Sequence, residues 1–168
     1  MARPLTIGLT GGIAAGKSEA LAAFERLGAA TISSDAVVHE LLEAEPLLPR
    51  LIERWGGEVA PEGRVDRERI GAWLASLPED AGVAVVEVPL LFESGMEGVF
   101  DTTVAVTASD ELRRERAHAR GHALVDEREA RQLAQAEKAS RAAHVVENDG
   151  SVEDLERELS ALVEKLKG

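Results

Sequence analysis

Cysteine is absent from the 168-residue chain, which removes disulfides and thiolate metal sites together. The four histidines, His39, His118, His122 and His144, are scattered with no carboxylate-rich cluster around them, so zinc chemistry is disfavoured. No run of about eighteen apolar residues occurs, and Met1-Ala2-Arg3-Pro4-Leu5 leads into a short strand pattern rather than a signal sequence. A cytoplasmic protein without membrane association is expected. Positive charge is also scarce: 19 Lys and Arg against 31 Asp and Glu leave a net charge of −12. Wrapping nucleic acid draws on many cations that neutralise phosphates, so that partner class is disfavoured and any phosphate must be gripped locally. One local excess exists, Arg113, Arg114, Arg116 and Arg120, readable either as a solvated helix face or as a phosphate-facing set.

Internal repeats and low-complexity linkers are lacking too, and the length suits one domain spanning residues 1–168. Short apolar strands alternate with longer helical patterns, which predicts an α/β fold with a parallel sheet. Candidate strands are Leu5 to Thr10, Ala29 to Ser33, Val83 to Val88, Thr102 to Thr107 and His144 to Glu147. Ser109-Asp110-Glu111 and Asp126 with Glu129 open helices, and Ser151-Val152-Glu153-Asp154 reads as a capping box. Behind that box, Leu155, Leu159, Leu162, Val163 and Leu166 share a face that would cover the core. Residues 36–78 fall outside the strand rhythm, with a Gly56-Gly57 break and a turn expected at Pro61-Glu62-Gly63; they are the expected substrate-binding insertion.

The strongest chemical signal is Gly11-Gly12-Ile13-Ala14-Ala15-Gly16-Lys17-Ser18, a full G-x-x-x-x-G-K-[ST] run after a strand and opening a helix. Its glycines let the backbone approach a polyphosphate, and its N–H groups and the helix start attract negative charge. Lys17 would reach the β- and γ-phosphates of ATP, and Ser18 would ligate Mg2+. Kinases, GTPases and motors share this loop. No Asn-Lys-x-Asp and no Asp-x-x-Gly occurs, which disfavours a GTPase.

Asp35 follows the second strand, at the carboxyl edge beside the loop. It can serve as general base on a substrate hydroxyl, help hold Mg2+ through water, or simply cap a helix. His39, one turn on, can touch substrate or merely pack. Glu87 is an acid within the apolar run Val83-Ala84-Val85-Val86-Glu87-Val88, a costly placement unless it is paired or near a metal, and Pro89 ends ladder bonding behind it.

Together these segments resemble dephospho-CoA kinase. The resemblance rests on Ile7 to Ser18, Asp35-Ala36-Val37-Val38-His39, Gly63-Arg64-Val65-Asp66-Arg67, Glu87 to Gly95, Gln132 to Lys138 and Glu147-Asn148-Asp149-Gly150. It implies a P-loop NTPase fold with a five-stranded parallel sheet, a lid at 109–142 and a small helical acceptor subdomain. It further implies phosphorylation of the ribose 3′-hydroxyl of dephospho-CoA by ATP with Mg2+. Asp35 would be the base, Lys17 and Arg114 would act on the phosphates, and the loop residues through Ser18 and Glu19, with Asn148 and Gly150 beside adenine, would bind ATP. His39, Arg67, Glu87, Pro89 and Leu90 would face the acceptor. Small-molecule substrates and no obligatory protein partner follow. The family carries further helical turns between Arg67 and Glu87 that are missing here, so its acceptor insertion is expected to be shortened. The other reading of the same residues is an ATP-binding regulator or degenerate kinase with a lost or altered acceptor.

Overall fold

The computed structural model of the chain describes residues 3–34, 62–119 and 132–168, the backbone alone at 62–68. Five strands form one sheet: β1 (Leu5–Gly11), β2 (Ala30–Ser33), β3 (Val83–Glu87), β4 (Thr102–Thr107) and β5 (His144–Glu147). Their order is β2-β3-β1-β4-β5, and every pairing is parallel. The described helices are α1 (Lys17–Arg26), α2 (Glu62–Ser76), α3 (Asp110–Ala119), α4 (Gln135–Arg141) and α5 (Val152–Lys167).

Parallel strands need crossovers, and the alternation of element types supplies them. The chain leaves β1 toward β3 and β2 on one side and β4 and β5 on the other. A crevice therefore opens beside the carboxyl end of β1, where ligands settle in open α/β sheets.

Side chains alternate between two buried layers, as the strand period of two requires. On one face Ile7, Leu9, Val83, Val85, Val104, Val106 and Val146 pack under α1 and α5, with Phe24, Leu155, Leu159 and Val163 buried among them. On the other, Val86 and Val88 meet Ile70, Leu91, Phe92, Met96 and Phe100, with Trp73 and Leu74 of α2 against them. Gly8 is needed there, because a Cβ would lie 2.6 Å from the ring of Phe100. α5 begins with the expected capping box, Ser151 Oγ accepting from Asp154 N–H while Asp154 accepts from Ser151 N–H. The turn expected at Pro61-Glu62-Gly63 is a difference. Glu62 and Gly63 form the first turn of α2, since proline just ahead of a helix is compatible with its start and glycine costs a first turn little. Residues 77–82 then join α2 to β3.

At the opposite edge of the sheet, Asp101 ties β4 to β1. Its carboxylate accepts from the Thr6 N–H at 2.9 Å, the Thr6 hydroxyl at 2.8 Å and Arg3 at 2.6 Å. Partial burial pushes this carboxyl up, but the Thr6 and Arg3 donors outweigh it and hold the group below its usual value.

Candidate active site

β1 ends in Gly11 and α1 starts at Lys17, so the residues between them form a loop at the crevice. Gly16 caps the helix in a left-handed conformation (φ 98°, ψ 30°) that a side chain would strain. A Cβ there would also collide with the Asn148 side-chain amide. Ala14 is left-handed as well, with φ 58°. Such backbone aims successive N–H groups into one concavity, the arrangement that receives anions. Lys17 lies across the loop, its ammonium donating to the carbonyls of Gly12 (3.0 Å) and Gly11 (3.5 Å). Ser18 is exposed at the second position of α1. Its hydroxyl is a hard oxygen that could join phosphate oxygens and water around a Mg2+ ion, which takes one or two protein ligands of that kind. Glu19 sits on the loop's helix but turns its carboxylate to Arg26, at 3.2 Å.

The arginine cluster divides by helical position. Arg113 and Arg116, three apart on α3, share the face toward the loop. Arg113 donates from Nε to the Ile13 carbonyl at 2.9 Å and pairs with Asp110 at 3.0 Å. Arg116 donates from Nη2 to the Asn148 carbonyl at 3.0 Å. Its Nη1 is buried and without a hydrogen-bond partner among the described residues, a costly state that a ligand oxygen or ring nitrogen would relieve. Arg114 is exposed, one position round from that face, and Arg120 lies outside the described residues.

Asn148 joins loop and arginine. It is 6% exposed, and its side-chain N–H donates to the Ala15 carbonyl at 2.9 Å. Asp149 accepts from the Ser109 N–H at 2.7 Å, and Gly150 turns the chain into α5. The expected adenine-side residues and the phosphate loop therefore form one connected structure.

On the far side of β1, Glu87 is buried level with Leu9 of β1 and Ser33 of β2. The Pro89 carbonyl just beyond it accepts from the Thr10 hydroxyl at 3.3 Å and the Lys138 ammonium at 2.5 Å. Pro89 and Leu90 are half-buried there. A cavity of about 210 Å³ above the loop is walled by Gly12, Ile13, Arg113 and residues 132–135. Gln135 closes its rim by pairing both ends of its amide with Ala108, N–H to Oε1 at 3.1 Å and Nε2 to the carbonyl at 2.8 Å.

Asp35 and His39 lie outside the described residues, one and five positions past Ser34, and nothing is described of the Arg67 side chain. The structure thus gathers Lys17, Ser18, Glu87, Pro89, Leu90, Asn148 and Gly150 at the carboxyl edge of the sheet. Lys138, Glu93 and Thr10 were missed as site-bracing residues. A lysine in a short polar helix carries no sign that it is buried.

The comparisons with known proteins agree along the chain. A family model described as dephospho-CoA kinase matches residues 5–82 and 74–154. The dephospho-CoA kinase of Anaeromyxobacter dehalogenans is 36% identical over 194 aligned positions, covering 96% of this chain and 92% of that protein. Those positions outnumber the 168 residues here, so the alignment includes gaps in this chain. Among solved structures, a Thermus thermophilus protein superposes with a TM-score of 0.73 at 34% identity, covering 99% of this chain and all of that one. The dephospho-CoA kinase of Campylobacter jejuni shares the fold, with a TM-score of 0.64 at 21% identity over 96% of each chain.

Proposed function

The chain belongs to the dephospho-CoA kinase family, and from that premise we propose that it transfers the γ-phosphoryl group of ATP to the ribose 3′-hydroxyl of dephospho-CoA, giving coenzyme A and ADP. The observation that carries this reading is the phosphate loop with Lys17 across it, bridged by Asn148 to Arg116, whose buried Nη1 has no partner among the described residues. That assembly is a ready receptor for a nucleotide polyphosphate.

In this reading Lys17 leaves its loop carbonyls for the β- and γ-oxygens as ATP enters, and the loop N–H groups fix the phosphates. Arg113 and Arg116, on the helix face that meets the loop, take the cationic role rather than the exposed Arg114. Asn148 and Gly150 border the base. Ser18 would hold Mg2+, which when bound neutralises charge shared between the β- and γ-phosphates. Asp35, two positions past the end of β2, takes the hydroxyl proton as the oxygen attacks phosphorus. Glu87, Pro89 and Leu90 form the acceptor side, with His39 and Arg67 reaching it from the insertion. Phosphoryl transfer depends on positioning more than covalent assistance, so these groups suffice without a protein partner, in the cytoplasm.

The decisive experiment is a coupled ADP-release assay with and without dephospho-CoA, with the product identified by mass. Acceptor-dependent ADP release and one added phosphate are expected. Release independent of the acceptor, or none at saturating acceptor with ATP bound, overturns the proposal.

A further inference from the structure

Lys138 has no role in the transfer just described, yet it is fully buried (0% exposed). Lysine is almost never buried without partners, and here three acceptors converge on it. The ammonium donates to the Pro89 carbonyl at 2.5 Å and to the Gln132 side-chain oxygen at 3.2 Å, and it lies 3.1 Å from Glu93 Oε1. An ammonium has three hydrogens and no acceptor, so this set uses its full capacity.

The acceptors come from two sides of the crevice. Pro89 and Glu93 follow β3, and the Pro89 carbonyl is shared with the Thr10 hydroxyl, next to the start of the phosphate loop. Gln132 stands at the wall of the cavity above that loop. Glu93 reinforces the link by accepting the Leu133 N–H at 2.8 Å with the same oxygen that faces Lys138. One cation therefore joins the acceptor wall, the root of the phosphate loop and the 132–135 wall. We propose that Lys138 is a positioning residue for phosphoryl transfer, holding the 132–135 wall over the phosphate loop at the spacing the reaction needs. The inference rests on the kinase reading above.

Burial explains why the group is positional rather than a simple stabiliser. Removing an ammonium from water disfavours its charge, so burial pulls the Lys138 pKa below its usual value while Glu93 partly restores it. An apolar side chain of the same length would pack there without that cost, and buried ion pairs are often neutral for stability when replaced this way. What the apolar replacement lacks is direction, because three hydrogen bonds fix the placement of the 89–93 segment against residues 132–138 and a methyl group fixes none.

The test compares wild type with Lys138→Met and Glu93→Gln, following turnover, affinity for a non-hydrolysable ATP analogue, and hydrogen exchange at the Leu133 amide. In folded Lys138→Met, kcat is expected to fall about tenfold or more while analogue affinity stays within about threefold, the split that separates positioning from uniform binding. Leu133 exchange should quicken at least about tenfold, with core amides such as Val104 unchanged. Wild-type kcat in folded Lys138→Met overturns the proposal, as does a loss of protection at Val104 equal to that at Leu133. Should Lys138→Met not fold, Glu93→Gln decides, since its neutral oxygen weakens the bonds to both Leu133 and the lysine at unchanged side-chain size. A smaller kcat loss with retained analogue affinity supports the proposal, and wild-type kcat overturns it. A wild-type protein inert toward dephospho-CoA sinks the kinase reading instead, and the Leu133 exchange measured with analogue bound still tells whether the clasp exists.

Discussion

At the scale of single residues, the sharpest contrast is between neighbouring arginines. Arg116 presents a buried N–H that has no partner among the described residues, whereas Arg114 is exposed on the same helix. Replacing Arg116 with Met should weaken ATP-analogue binding by about tenfold or more, the worth of one charge-assisted hydrogen bond. The same change at Arg114 should alter it by less than about threefold, since an exposed charge is screened by water and salt. Calorimetric titration of both variants checks this, and equal losses would return the phosphate role to Arg114. Asp35→Asn keeps size and hydrogen bonding but removes the base, so kcat should fall by about a hundredfold or more with ATP affinity little changed. Normal turnover in a folded variant would reduce Asp35 to a helix cap.

Elements carry the second set of consequences. α5 covers the core through Leu155, Leu159 and Val163, and its start is held by the reciprocal Ser151 and Asp154 bonds. Ser151→Ala removes that cap, and thermal or denaturant unfolding should register a loss of about 1 kcal/mol, within a range of roughly 0.5–2. Turnover at low temperature should be unchanged, because Ser151 is exposed and Asn148, which meets the loop, is held separately by its N–H to the Thr107 carbonyl at 2.7 Å. The strand positions and the Ser151 cap were legible beforehand for a simple reason. Strands buried on both faces read as brief apolar runs bounded by breakers, and a capping box is a local exchange between residues three apart. The start of α2 was not legible, since Pro-Glu-Gly carries turn and helix-entry signals together.

For the whole molecule, acid stability follows from the tie between β1 and β4. The Asp101 carboxyl is held below its ordinary value of 3.8, so folding favours its ionised form. Its contribution is fully present above the unfolded-state value and is lost as pH falls through the lower folded-state value. Unfolding free energy measured from pH 6 downward should therefore drop below about pH 4, and Asp101→Asn should flatten part of that drop. The variant should also lose about 2 kcal/mol at neutral pH, the scale of hydrogen bonds to a charged group. An unchanged acid limb would show that Asp101 is not the titrating tie.

The sequence by itself determined the strand positions, the phosphate loop and the chemistry that loop serves. Each is a local matter of periodicity, backbone freedom or a contiguous run such as Gly11 to Ser18. The family resemblance added the likeness of distant segments, because their combination is far more specific than any one of them. Only the tertiary structure decided which of several like side chains contacts the phosphate loop and its Asn148 neighbour. Arg113, Arg114 and Arg116 look alike in sequence, and helix rotation against the loop separates them. Lys138 reads as a solvated charge until the fold brings Pro89, 49 positions away, to within hydrogen-bond reach. Burial and hydrogen-bond partnership belong to pairs of residues distant along the chain, and no local pattern encodes them.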